Sequence, residues 1–479
     1  MERWKKLNSI NTIIIIMIIK FVDREKELKF LQDRYKCKEA NLIIIYGRRR
    51  VGKTELLLQF AKNKAYVYFL ASETGEKDNL QGIFNMLYEF FKDDILTLEK
   101  TWENLFRYLS KKKRFVLIID EFPYLISQNK ALPSVFQKGW DLYLKKSNIF
   151  LVLAGSSIGM MEEHTLSYGS PLYGRRTGQW KVESLKFKEL FDFFPNYSAE
   201  SIVKVYGALD SIPAYLIKYD QKLNFWENLK KNNLSKGSFL YDEVNFLLKQ
   251  ELREPKIYKN ILKAISFGNT KFGEIMNFTG IDKSKLFVYL DTLDSLKITE
   301  KKIPLLDKPK SKKGRYFIKD NFFKFWFRYI LPNRSTLEEG KIDVVVKKIK
   351  DDYTNYIGRS IFESVCEECL WSVKLPFLPE RMGKQWGSFR DDGRTKTYEI
   401  DIVTLNESKK QILFGECKWQ NRVNANKILA DLKEKTRYMN WKKDSRKEYY
   451  AIFAKSFKKR AGCYCFDLKD IEKVFKKSK

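Results

Sequence analysis

The chain has 479 residues, 44% of them hydrophobic and 15% aromatic, which is too much for one core and suggests about three domains of roughly 150 residues each. Lysine and arginine number 91 against 60 aspartate and glutamate, a net charge of +31 that favours polyanionic partners, although a lysine-rich compositional bias gives the same balance. Six cysteines at positions 37, 366, 369, 417, 463 and 465 are too scattered for a disulfide framework, which sets aside the small secreted class and points to a reducing cytoplasm.

The amino end carries an apolar run over 13–19 behind a basic segment. As a helix it would reach only about 10 Å, a third of a bilayer core, and no small-residue cleavage site follows, so neither a membrane span nor a signal peptide is expected. An extra strand, or an upstream start with Met17 rather than Met1 as the first residue, accounts for it better. A helix is expected over 23–35, with Asp23 as its cap.

The next stretch organises the rest. Leu42-Ile43-Ile44-Ile45-Tyr46 is a buried-strand pattern that breaks into Gly47-Arg48-Arg49-Arg50-Val51-Gly52-Lys53-Thr54 and then into a helical pattern over 55–62. Strand, glycine-bounded loop and helix at this spacing predict a P-loop. Its backbone amides and helix amino end would wrap the phosphates of ATP, Lys53 would reach the terminal ones, and the Thr54 hydroxyl would hold Mg2+. A second strand is expected over 65–70, then helices over 80–91 and 102–109.

The run Phe115-Val116-Leu117-Ile118-Ile119-Asp120-Glu121 reads as a buried parallel strand delivering two carboxylates to its carboxyl end. Behind a P-loop this is the Walker B pattern, in which Asp120 binds Mg2+ and Glu121 orients or deprotonates the attacking water. A further apolar run over 149–153 ends in Ala154-Gly155-Ser156-Ser157. Ser156 or Ser157 would there touch the terminal phosphate or the water, or else simply cap the following helix. In the turn Gly174-Arg175-Arg176-Thr177-Gly178, Arg175 or Arg176 is a candidate arginine finger or nucleotide sensor, acting within its own subunit or on a neighbour in a homo-oligomer; a surface loop held by ion pairs is the other reading. His164 is the single histidine and receives no role.

Residues 187–248 have a helical pattern with leucine and aromatic stripes, suited to a lid. Three amphipathic helices, over 257–266, 272–277 and 283–296, then precede a hairpin with strands over 298–305 and 315–318 and a basic loop over 308–314. That order is a winged-helix pattern, whose third helix enters a DNA major groove and whose wing touches phosphates, or which serves only for packing.

Beyond Pro332 a helix over 353–371 carries Glu363, and two strands follow over 397–403 and 411–419. Asp401 faces opposite to Ile400 and Ile402, while Glu416 and Lys418 share a face. An aspartate with a Glu-x-Lys fifteen positions on (416 minus 401) suits metal-assisted phosphodiester cleavage, with Glu363, Asp401 and Glu416 as metal ligands and Lys418 positioning water. The order helix, strand, strand, helix over 424–437 resembles the PD-(D/E)xK nuclease core, with Ile400 in the place of its proline. A zinc cluster of Cys366, Cys369, Cys463 and Cys465 is disfavoured, because Cys-x-x-Cys inside a helix is poor finger geometry.

Together with Phe21-Val22-Asp23-Arg24-Glu25, these motifs resemble those of the archaeal-type ATPase family with a carboxy-terminal nuclease-like domain of formerly unknown function, over nearly the whole chain from Lys20. The resemblance implies an ATPase core of the additional-strand class, with the Walker B strand next to the P-loop strand in the sheet, and a likeness to signal-transducing switch ATPases. The expected architecture is α/β: an extension over 1–19, a parallel P-loop sheet flanked by helices over 20–186, a helical lid over 187–254, a winged helix over 255–332 and a smaller α/β nuclease-like domain over 333–479. The expected activity is Mg2+-dependent ATP hydrolysis that controls a DNA-binding or DNA-cleaving module. The alternative is a nucleotide-gated switch or scaffold whose last domain binds DNA or a protein without cutting.

Overall fold

The computed structural model describes residues 21–308, 311–391 and 394–477; the expectations for residues 1–19 lie outside them. The described residues divide into two compact units, one made of residues within 21–155 and 164–182, the other of residues within 156–163 and 183–477.

The first unit is a five-stranded parallel sheet with helices packed on it. α1 (Glu25–Lys36) leads into β1 (Asn41–Tyr46), all six residues of which are buried. α2 (Lys53–Ala61), β2 (Tyr66–Leu70), α3 (Glu76–Phe91) and α4 (Trp102–Ser110) follow, then β3 (Val116–Asp120), α5 (Phe122–Gln128), α6 (Leu132–Leu142), β4 (Phe150–Gly155) and β5 (Gly178–Lys181). β1, β3 and β4 are buried from end to end, as strands covered on both faces must be, and this is why they read as unbroken Val/Ile/Leu runs. The strand order is β2-β3-β4-β1-β5, and every pairing is parallel. This corrects one expectation: β3 is not the neighbour of β1, because β4 lies between them and pairs with both.

α1 also starts differently from the expectation. Arg24, in a left-handed conformation at φ 81°, precedes its first turn, and no side chain caps that end, so Asp23 is not the cap. α4 is capped as its sequence suggests, with Thr101 accepting from the Asn104 amide.

The second unit opens with helices, among them α7 (Ala199–Leu209) and α8 (Phe239–Glu251). α9 (Pro255–Ser266), α10 (Phe272–Thr279) and α11 (Lys283–Ser295) come next, followed by the antiparallel hairpin of β6 (Thr299–Lys302) and β7 (Arg315–Ile318). The helix expected over 353–371 is two, α12 (Ile342–Tyr356) and α13 (Phe362–Ser372), joined by one wide helical turn at Ile357–Ile361. A mixed sheet completes the unit. β8 (Arg381–Asp391), β9 (Arg394–Asn406), β10 (Gln411–Lys418), β11 (Lys447–Ala454) and β12 (Tyr464–Phe466) stand in the order β12-β11-β10-β9-β8. α14 (Ala425–Thr436) connects β10 to β11, a right-length crossover for a parallel pair.

The hairpin is docked on this sheet. The Leu305 amide donates to the Lys384 carbonyl at 3.0 Å, the Leu306 amide donates to Gln385 Oε1 at 3.1 Å, and Arg315 stacks 5.1 Å above the Trp386 ring. No helix among the described residues is long and apolar enough to cross a membrane.

Candidate functional site

β1 delivers its carboxyl end to Gly47, which is buried and has φ 152°. A Cβ at Gly47 would stand 2.2 Å from the Val182 carbonyl oxygen, closer than any side chain tolerates. Arg50 (φ 73°) and Gly52 (φ 90°) are also left-handed, and Gly52 begins α2. The loop therefore curls back over the amino end of that helix, where unpaired amides and the helix dipole favour an anion. Lys53 is buried. Its ammonium donates to the carbonyls of Gly47 at 2.8 Å and Arg48 at 3.1 Å, which folds the side chain across the mouth of its own loop.

Arg24 braces the loop from outside. This buried guanidinium donates to the Val51 carbonyl at 3.0 Å and pairs with Glu27 at 2.9 Å. Sequence reasoning had used Arg24 only as part of a resemblance. Its signal was the position, one residue before a helix and close ahead of the loop.

Asp120 is the last residue of β3 and is buried. Oδ2 accepts from Thr54 Oγ1 at 2.7 Å and from the Tyr68 hydroxyl at 2.9 Å, and Oδ1 accepts from the Glu121 amide at 2.9 Å. Tyr68, on the neighbouring β2, was not anticipated. Burial, and then the Asp120 charge beside it, holds its hydroxyl well above the ordinary range, so it remains a donor to the carboxylate at neutral pH.

Glu121 adopts φ 54° directly ahead of α5, a conformation costly for a residue with a Cβ and tolerated where the surroundings hold it. Arg49 lies 3.7 Å from its carboxylate and donates to the Tyr124 hydroxyl at 3.1 Å. Thr54 Oγ1, Asp120, Glu121 and Lys53 thus converge. The oxygens of Thr54 and Asp120 are the hard donors that Mg2+ prefers, so the residues present fit that ion.

Ser156 is buried and follows β4 directly. Arg175 is held by Asp141, with Nε and one terminal nitrogen at 3.2 and 3.1 Å. Arg176 donates to the Tyr173 carbonyl and lies over the Tyr173 ring at 4.6 Å. Arg175 is thus paired with the end of α6 and Arg176 is held within its own loop.

The second unit gathers the remaining predicted residues. Glu363, on the first turn of α13, takes Lys384 Nζ at 3.1 Å on each oxygen. Lys384 also lies 2.7 Å from Glu399 and 3.8 Å from Asp401. Asp401 Oδ2 accepts from the Cys417 amide at 2.9 Å, and Glu416 is bound by Lys418 at 2.8 Å and by Lys435 at 3.0 and 3.1 Å. Burial raises the Glu363 carboxyl to about 7 against the pull of Lys384. For Lys384 burial works the other way, but the charges of Glu363, Asp401 and Glu399 outweigh it and keep the ammonium protonated.

The expected metal ligands Glu363, Asp401 and Glu416 are each approached by a lysine. Among the described residues no group of three or more His, Cys, Asp or Glu side chains is placed to hold a metal ion; Lys384 contacts both Glu363 and Asp401, while Asp401 and Glu416 act on each other directly. Lys384 was missed because it lies in the mixed run Met382-Gly383-Lys384-Gln385-Trp386, whose register slips between Gly383 and Gln385. The cysteines are likewise no cluster: Cys463 and Cys465 face each other at 3.9 Å, while Cys366 and Cys369 are buried in α13.

Comparison with known proteins agrees with this geometry. Residues 21–219 match the family described as ATPase domain predominantly from Archaea, and residues 326–428 match one described as archaea bacterial proteins of unknown function. An uncharacterized protein of Methanocaldococcus jannaschii is 43% identical over 458 residues, 94% of this chain and 99% of that protein. An uncharacterized ATP-binding protein of the same organism is 22% identical over 325 residues, 61% of this chain and 83% of that one. Among solved structures, the Walker-type ATPase of Pyrococcus abyssi superposes with a TM-score of 0.51 at 22% identity, covering 64% of this chain and 96% of that one, a likeness of fold. With the P-loop, its acid-ended strand and these matches in hand, the chain belongs to the predominantly archaeal ATPase family, as an ATPase domain followed by the carboxy-terminal domain of unknown function.

Proposed function

We propose that the first unit hydrolyses ATP with Mg2+ and that its nucleotide state controls the second unit, which contacts DNA. The observation that carries the first half is the 2.7 Å bond between Thr54 Oγ1 and Asp120 Oδ2 beside Lys53. In this reading the amides from Gly47 to Thr54 cradle the phosphates, and Lys53 leaves its two carbonyl partners for the terminal phosphate. Thr54 and Asp120 hold Mg2+, which when bound neutralises phosphate charge. Glu121 orients the attacking water, and Ser156 senses the terminal phosphate. Arg175 and Arg176 join only if their bonds to Asp141 and Tyr173 break, which a neighbouring subunit would have to bring about. The test is ATP turnover with and without Mg2+ in the full chain and in Asp120→Asn; turnover untouched by both changes defeats the reading.

DNA contact is supported by the +31 charge and by the order of three helices and a hairpin over 255–318, read as a winged helix. The hairpin lies against β8, so phosphate contact falls to the exposed Lys283 and Lys285 at the start of α11 rather than to a free wing. Affinity for duplex DNA measured across salt concentrations decides it, since several phosphate contacts require a steep slope. A second reading, a nuclease-like module that binds without cutting, is favoured by one observation, the lysines seated among its acids.

A further inference from the structure

The acids of the second unit gather around lysine ammonium groups as an ion-pair network. We propose that Lys384 is the built-in cation of this cluster, holding Glu363, Glu399 and Asp401 together in the place a divalent metal would take. The module then engages its partner without metal chemistry. The inference deepens the non-cutting reading above and rests on the nuclease-like assignment for what the site would otherwise hold.

Three observations carry it. The first is saturation: both oxygens of Glu363 bond Lys384, and both of Glu416 bond Lys435, with Lys418 added on Oε1. Asp401 gives one oxygen to the Cys417 amide and faces Lys384 with the other. A small divalent cation needs about six oxygens near 2.1 Å; Glu363 would have to release Lys384, and Glu416 its two lysines, to offer both oxygens, while Asp401 Oδ1 lies 3.8 Å from Lys384.

The second is charge. Four carboxylates (Glu363, Glu399, Asp401, Glu416) face three ammonium groups (Lys384, Lys418, Lys435) in direct contact, and Lys302 on β6 adds its field to Glu363. The charge is offset only in part, since Lys302 itself pairs with Glu300 at 3.1 Å and feels Glu367, but these lysines weaken the electrostatic reason for a carboxylate cluster to recruit a metal.

The third is how Lys384 gets there. β8 and β9 slip register so that Lys384 stands opposite two residues of β9, Asp401 and Ile402, a bulge that bends β9 where Asp401 meets Lys384. The backbone at that point is fixed by the bond from the Leu305 amide to the Lys384 carbonyl at 3.0 Å. The ammonium is therefore aimed by main-chain geometry and is not a loose surface lysine that happens to lie near acids.

The experiment is Mn2+ binding by paramagnetic resonance to the full chain carrying Asp120→Asn, which silences the nucleotide site. The expected result is no Mn2+ held at concentrations up to about 1 mM. Adding Lys384→Met is expected to create one site at least about tenfold tighter, which disappears again when Asp401→Asn is added. One equivalent of Mn2+ bound with Lys384 intact and lost on Asp401→Asn overturns the proposal. Should Lys384→Met not fold, the titration of the Lys384-containing chain decides alone. Duplex DNA binding in the presence of a chelator is the separate arm: its absence removes the DNA reading and leaves the assignment of Lys384 standing.

Discussion

Thr54 and Asp120 are 66 positions apart in the chain and 2.7 Å apart in space, a hydroxyl from the start of α2 set against a carboxylate from the end of β3. The neighbouring Lys53 is turned inward onto the carbonyls of its own loop. Lys53→Ala is expected to lower ATP turnover by about 10²-fold or more, since it removes a charge aimed at the developing phosphate anion. Phosphate release and fluorescent-nucleotide binding check it, and unchanged values for both refute the assignment.

Tyr68 supplies one of three donors to Asp120. Tyr68→Phe leaves the ring in place and removes that bond, so a loss of about 1 kcal/mol is expected in urea unfolding of the first unit. Turnover should fall less than in Asp120→Asn. Equal losses in the two variants would mean that Tyr68 does more than hold the carboxylate.

Gly47→Ala places a methyl group 2.2 Å from the Val182 carbonyl, and at φ 152° the backbone itself resists the change. Since β1 pairs with β5 through the same region, the expected outcome is a destabilised sheet as well as lost nucleotide binding. Circular dichroism melting separates this from a purely local defect, which would leave the melting temperature unchanged.

Lys324 contacts Asn321 and Ser360, and burial, with Lys302 nearby, lowers its pKa to about 8. An unfolded lysine titrates near 10.4. Between these values the unfolded chain holds a proton that the folded chain has lost, so this group's contribution favours folding progressively as pH rises from about 8 to about 10.4. Below pH 8 both states are charged and the contribution is gone. Stability measured at pH 7.5 and 9.5 in the parent and in Lys324→Met checks this: the parent should show an upward step that the variant lacks.

The sequence displayed what is local. β1 and β3 were legible as apolar runs because each is buried on both faces, and Gly47, Gly52, Lys53 and Thr54 because the cradle needs them at fixed spacing. What depends on strand order was not legible. Tyr68 touches Asp120 because β2 is the neighbour of β3, and nothing local to residues 66–70 says so, apart from a tyrosine on the same face as Tyr66. The same limit produced the error about β3 and β1, whose separation by β4 is a fact of topology. Lys384 was hidden because its contact with Asp401 depends on how β8 and β9 register, and that register slips where Lys384 stands opposite Asp401 and Ile402. The partners of Arg175 and Arg176 were half legible, because a glycine-bounded arginine pair fits an ion-paired loop as well as a phosphate sensor.

The strand β4 has a consequence for engineering. Two inter-strand gaps, about 10 Å in all, separate β1 from β3, and the loop with the start of α2 bridges that span to bring the Thr54 hydroxyl within 2.7 Å of the Asp120 carboxylate. A bulkier residue at Val152 or Ala154, both wholly buried, would press on the helices packed against the sheet, since strand side chains stand across it and not in its plane, and ATP turnover would then fall with the seating of those helices although neither hydroxyl nor acid is touched.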